Sequence, residues 1–124
     1  DASTDGTRAD SIDVPAPNEA ADALTALDES DGDAVSVADD DILAAQRRLG
    51  QAEGVFAEPA SAATLAGLEA ARDAGIVEAG ESVVLVVTGS GLKDTETAGR
   101  VAPERVRVDP AVDPTALKDS LDSV

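Results

Sequence analysis

Apolar residues recur along this chain in two rhythms, and the change of rhythm marks the elements. From Glu19 to about Glu29, Ala20, Leu24 and Leu27 share one helical face, with Asn18 in the N-cap position. A second helix is predicted from Asp39, its buried stripe formed by Ile42, Ala45 and Leu49. Asp39 is its expected cap. Asp40 and Asp41 lie in the first turn, where the helix dipole favours negative charge, and Arg47 and Arg48 lie toward the other end. A third helix is expected over roughly Ala62 to Ala74, stopped by Gly75 in the left-handed conformation. Its face Ala63, Ala66, Gly67, Ala70 and Ala74 is small throughout, which suits close packing on a sheet.

The second rhythm is that of strands. Ala34 to Ala38, AVSVA, alternates and suits a short strand. Ser82 to Val87 is a continuous Val/Leu run bounded by turns, the pattern of a strand buried on both faces of a parallel sheet. Val106 to Val108 predicts a last short strand, and Pro114 opens a terminal helix at its first position. Alternation of helices and strands predicts an α/β class, and the length is that of one domain. Residues 1–11 read as a flexible lead-in, mostly small, polar and acidic, and residues 12–124 as the folded part. The first residue is Asp1 rather than Met, so further sequence is expected upstream.

Composition narrows the chemistry more than it shapes the fold. Phe56 is the one aromatic residue, and Trp, Tyr, Met, Cys and His are absent. The core is therefore Val, Leu, Ile and Ala. Without Cys there is no disulfide, thiolate nucleophile or cysteine metal site, and without His the usual general base near neutral pH is missing. Acidic residues number 26 against 9 basic ones, a net charge of −17. That balance offers no basic patch for nucleic acid or for an anionic membrane surface. No apolar run approaches the ~20 residues that span a bilayer, and no signal peptide is visible. An acidic chain poor in aromatics can be disordered, but a hydrophobic fraction of 43% with clear period points to a folded protein. The charge is then expected to belong to a salt-saturated cytoplasm, where a Debye length of roughly 3 Å at molar salt removes the self-repulsion of an acidic surface.

Three short stretches carry candidate chemistry. TGSG, from Thr88 to Gly91, follows the predicted strand, and Gly89 and Gly91 would let backbone approach a ring or phosphate. The spacing has neither a third glycine for a dinucleotide fingerprint nor a phosphate-loop pattern, so on this motif alone a tight strand-to-helix turn is the better account. EPASAA places Glu58 ahead of a helix N-terminus that presents Ser61 and free amides; Ser61 as a plain N-cap explains the same residues. Lys93, beside Asp94, reads as a surface ion pair rather than a reactive amine. The acidic runs Asp28 to Asp33 and Asp39 to Asp41 lack calcium-loop spacing and read as solvated surface, so no metal site is expected.

The order of three stretches adds what none carries alone. VSVADDDILAAQRRL, then EGVFAEPASAATLAGL, then a spacer, then VVLVVTGSGLKD resembles the C-terminal part of the threonine synthase family, among the fold type II pyridoxal-phosphate enzymes. The resemblance runs from about Ile12 to Asp94 and is strongest in GVFAEPASAA and VTGSGLKD. It implies a three-layer α/β/α parallel-sheet domain of the tryptophan synthase β kind, and pyridoxal 5′-phosphate as cofactor. Thr88 is implied as the hydroxyl that meets the pyridine nitrogen, with Gly89 beside the ring, Glu58 near the ring end of the pocket and Ser61 on the adjoining helix. Where the family often carries His or Asn between the two glycines, this chain has Ser90. The implied reaction converts O-phospho-L-homoserine and water to L-threonine and phosphate, in a cytoplasmic enzyme that pairs as a homodimer.

The family's cofactor-anchoring lysine and phosphate-cradling loop lie upstream of the matching stretch, so no catalytic residue is assigned here and these 124 residues alone are expected to be inactive. Two alternatives stay open: a truncated or split-enzyme paralogue without catalysis of its own, and a serine/threonine dehydratase-like lyase.

Overall fold

The computed structural model describes residues 6–102. Four helices carry them: α1 (Ala20–Ser30), α2 (Asp39–Glu53), α3 (Pro59–Asp73) and α4 (Thr95–Val101), with short 3-10 turns at Asp10–Ile12 and Gly91–Lys93. The expected strand at Val106–Val108 and the helix from Pro114 lie outside the described residues.

The packing centre is α2 against α3. Ile42, Ala45 and Leu49 are buried, as their spacing predicts, and they meet Ala57, Ala62 and Ala66. Small residues on α3 let the helix axes approach closely, so a modest set of side chains closes the core. Of the small face expected to lie on a sheet, Ala66 enters the helix core, while Ala63 and Gly67 line a groove beside Val35. Ala66 is buried, Ala63 and Gly67 are half-buried, and Ala74 is exposed. Helix α2 stops at Gly54, at φ 67°, where Val55 N–H donates to Leu49 O at 3.1 Å. Gly75, at φ 72°, follows α3 in the same way, and Ile76 N–H reaches Ala71 O at 2.9 Å.

Several helix starts differ from expectation. The residue before α1 is Glu19, not Asn18, and neither it nor Ala38 before α2 supplies a side-chain cap. Asp39 is therefore the first residue of α2 rather than its cap. Its carboxylate turns back to the preceding chain, accepting from Arg8 N–H at 3.0 Å and from the Thr7 hydroxyl. Ala9, beside them, is fully buried, so the described part of the expected lead-in lies docked against the helices. Helix α3 begins at Pro59, three residues before the predicted start, because proline is pre-set for the first helical position.

Neither predicted strand forms among the described residues. Residues 34–38 pass beside α3 without regular secondary structure, and a Cβ on Gly67 would meet Val35 Cγ2 at 3.5 Å. The run Ser82–Val87 takes no regular secondary structure and pairs with no other segment among the described residues, with Val84 87% and Val86 65% exposed. An extended backbone directs its hydrogen-bonding groups sideways, so it becomes a strand only beside another strand. Residues 6–102 place none next to it. The α/β sheet expected from the alternation is thus not present in this part of the chain. A single antiparallel bridge, Ala57 to Ser90, is the β-type pairing among the described residues.

Candidate functional site

That bridge builds the site. After Gly54 the chain runs extended through Ala57, and the glycine turn comes alongside it. Glu58 N–H donates to Gly89 O at 3.0 Å, and Gly91 N–H donates to Phe56 O at 2.8 Å. The first turn of α3 then carries Ser61 up to the same turn. Ser61 is 2% exposed, and its Oγ accepts from Gly89 N–H at 2.7 Å. Being inside the helix rather than at its cap, the hydroxyl is free for this contact. Ser61 Oγ also lies 3.3 Å from Thr88 Oγ1, a hydrogen-bonding distance in which either oxygen can donate. Thr88 itself is exposed, so this buried hydroxyl stands behind an accessible one.

Glu58 is buried, and its carboxylate pairs with Lys93 Nζ at 3.0 Å. Lys93 was expected to form a surface ion pair near Asp94. Its partner is instead a buried acid from across the turn, while Asp94 caps α4 by accepting from Thr97 N–H at 3.0 Å. Hydrogen bonding from the Thr97 side chain and then from its backbone N–H, with Arg100 and Arg8 nearby, holds the Asp94 carboxyl below the ordinary aspartate value.

The two glycines leave room that protein side chains fill. A Cβ on Gly89 would collide with the Glu58 carboxylate and come within 2.7 Å of its Cγ. A Cβ on Gly91 would come within 2.6 Å of the Phe56 ring. Glycine is needed here for close approach of the two segments, since neither residue has positive φ.

The structure thus brings all four predicted residues, Glu58, Ser61, Thr88 and Gly89, to one corner. It also adds Gln46, which sequence reasoning passed over. Gln46 is 4% exposed on α2, and its Nε2 donates to Ala57 O at 2.7 Å. A polar residue one position past Ala45 in an apolar stripe was the available signal. On another side of α3, a groove of about 1070 Å³ opens between Ile12, Val14, Val35, Val37, Ala63 and Gly67. It touches none of the four residues. Among the described residues no acidic cluster is arranged to hold a metal ion, and no helix is long and apolar enough to cross a membrane.

The corner presents an exposed hydroxyl backed by a buried one that accepts from a glycine amide. Comparison with known proteins gives the chain a class. Residues 1–89 match the family described as pyridoxal-phosphate dependent enzyme, and the chain belongs to that family. The cofactor of the family is pyridoxal phosphate. Among similar proteins, threonine synthase of Methanosarcina acetivorans is 45% identical over 115 residues, covering 93% of this chain and 28% of that protein. Threonine synthase of Methanocaldococcus jannaschii is 40% identical over 103 residues, 83% of this chain and 25% of its own length. Threonine synthase of Mycobacterium tuberculosis is 43% identical over 116 residues, 93% of this chain and 31% of its own length. The chain therefore spans between a quarter and a third of the curated relatives it matches.

Proposed function

We propose that this chain is the part of a threonine synthase that faces the ring nitrogen of its cofactor, and that the whole enzyme converts O-phospho-L-homoserine and water to L-threonine and phosphate. The observation that carries the reading is the pair of hydroxyls, Ser61 Oγ and Thr88 Oγ1, 3.3 Å apart, with Gly89 N–H on the first of them. With that amide donating to it, Ser61 can direct its own hydrogen at Thr88. Thr88 then has its hydrogen left to donate outward.

The donor set fits pyridoxal phosphate. The pyridine nitrogen is an acceptor, and a threonine hydroxyl gives it a hydrogen bond without forcing a proton onto it, as an aspartate would. When bound, the cofactor withdraws electrons from the substrate carbons that react. Thr88 would set how strongly it does so, and Ser61 would fix the direction of the Thr88 hydroxyl. Glu58, held by Lys93, lines the turn beside Gly89. The lysine that anchors the cofactor and the loop that holds its phosphate are assigned to the rest of the enzyme. The same remainder is proposed to cover Val83–Val87 as neighbouring strands of the family's parallel sheet, which would restore the α/β architecture expected from the sequence. The exposed valines support that placement. A homodimer, a cytoplasmic location and a salt-rich source complete the reading.

The test uses the complete enzyme that carries this sequence. Thr88→Val should weaken cofactor binding about three- to tenfold, the worth of one ordinary hydrogen bond, and Thr88→Ser should restore it. Equal affinity in Thr88→Val and the native enzyme would remove the assignment. The 124-residue chain mixed alone with pyridoxal phosphate and borohydride should trap no stoichiometric adduct. A single fully labelled lysine, at Lys93 or Lys118, would show that the anchoring residue had been sought in the wrong place.

A further inference from the structure

The Ala57–Ser90 bridge has an unusual second edge. Its two hydrogen bonds run from Glu58 N–H to Gly89 O and from Gly91 N–H to Phe56 O, so both flank the facing residues. Ala57 and Ser90 are therefore a non-hydrogen-bonded pair, and the carbonyl of Ala57 points away from Ser90. In a sheet, the N–H of a third strand would meet it. Here Ala57 is fully buried, water cannot reach the carbonyl, and Gln46 Nε2 meets it at 2.7 Å. Gln46 is buried with Ile42, Ala45 and Leu49 and is the one polar member of that set. Its Oε1 is buried and has no hydrogen-bond partner among the described residues, which a methionine would avoid. The donation to Ala57 is what accounts for a glutamine at this position.

We propose that Gln46 is a positioning residue of the site, its side-chain amide serving as the missing strand edge. It fixes residues 56–58 against the glycine turn and thereby aligns Ser61 with Thr88 and Gly89. As a role in cofactor binding this rests on the function proposed above; its test contains no cofactor, so the two readings fail separately.

The test is nuclear magnetic resonance on the 124-residue chain. In the native protein, one Nε2 proton of Gln46 exchanges slowly with solvent, and a scalar coupling across the hydrogen bond links that nitrogen to the Ala57 carbonyl carbon. No coupling, with exchange as fast as in free glutamine, overturns the proposal without any variant. Gln46→Met keeps length and burial but removes the donor. It should speed amide exchange at Glu58, Gly91 and Gly89 by about tenfold while the middles of α2 and α3 change far less. Unchanged exchange at all three overturns the bridging role, and unchanged Gly89 alone overturns the positioning of Ser61. Gln46→Glu adds a pH profile. The protonated acid can donate to Ala57 and should restore protection at low pH, whereas the carboxylate cannot and should lose it. Protection independent of pH in that variant contradicts the proposal.

Discussion

Helices α2 and α3 and the segment Ser82–Val87 are both rich in aliphatic residues, yet one is a core and the other is open surface. In the helix pair, Ile42, Ala45 and Leu49 find Ala62 and Ala66 within the same stretch of chain. A helix satisfies its own backbone and needs only one apolar neighbour. The valine run satisfies nothing alone: Val84 and Val86 stand exposed because their backbone and both faces need partners from elsewhere. Apolar content says that a segment wants to be buried. Its hydrogen-bonding pattern decides whether nearby chain can do it.

Salt gives the broadest test of that contrast. The 26 acidic residues avoid 82–92 altogether, while α2 alone opens with Asp39, Asp40 and Asp41. Lowering salt from 1 M to 0.01 M lengthens the Debye length from roughly 3 to 30 Å, so repulsion should loosen the helices first. Circular dichroism should show helix signal and melting temperature falling together in dilute buffer. A melting temperature independent of salt would mean that acidic repulsion does not limit this fold. The next largest effect is Ile42→Ala, which should cost about 2–5 kcal/mol in denaturant unfolding, against less than about 0.5 kcal/mol for Val84→Ser in the same chain. If Val84→Ser costs as much as Ile42→Ala, the valine run is already buried and the comparison collapses. In the complete enzyme the Val84 figure should rise well above its value here.

Smaller effects sharpen the site. Gly89→Ala should cost about 1–3 kcal/mol, because the new methyl group meets Glu58. Adding Glu58→Ala should recover most of that loss, and strictly additive costs would show that the close approach is not the cause. The smallest effect is at Asp94. Its folded-state pKa lies below the unfolded value, so the cap contributes above the unfolded pKa and is lost as pH falls through the lower folded one. Asp94→Asn should keep the cap and remove this acid sensitivity, read from the amide shift of Thr97.

The helices were legible because their period is local. Ile42, Ala45 and Leu49 announce α2, and Gly75 marks the end of α3 through a conformation that few other residues adopt. The meeting of Glu58 and Ser61 with Thr88 and Gly89 was accessible only through the order of motifs, since the pairs lie some thirty residues apart. The predicted strands do not form among the described residues, because a period-two or continuous apolar run records a demand for burial and not the presence of a neighbour. Lys93 was paired with the wrong acid because sequence shows adjacency to Asp94 but not the fold that lifts Glu58 to its amine. Gln46 was hidden for a related reason: its partner is a main-chain carbonyl, which has no letter in the sequence.

The bond between Ser61 and Gly89 is lopsided in a way that bears on how the corner could drift. One end is a peptide N–H, which every residue but proline supplies; the other is a single oxygen on a side chain. Substitution can therefore break the contact in two different ways: by removing the oxygen at position 61, or by setting a side chain at position 89 against Glu58 and pushing the turn away. A descendant that exchanged Ser61 for alanine would carry an orphaned amide at the turn, whereas threonine would keep the hydroxyl oxygen that silences it.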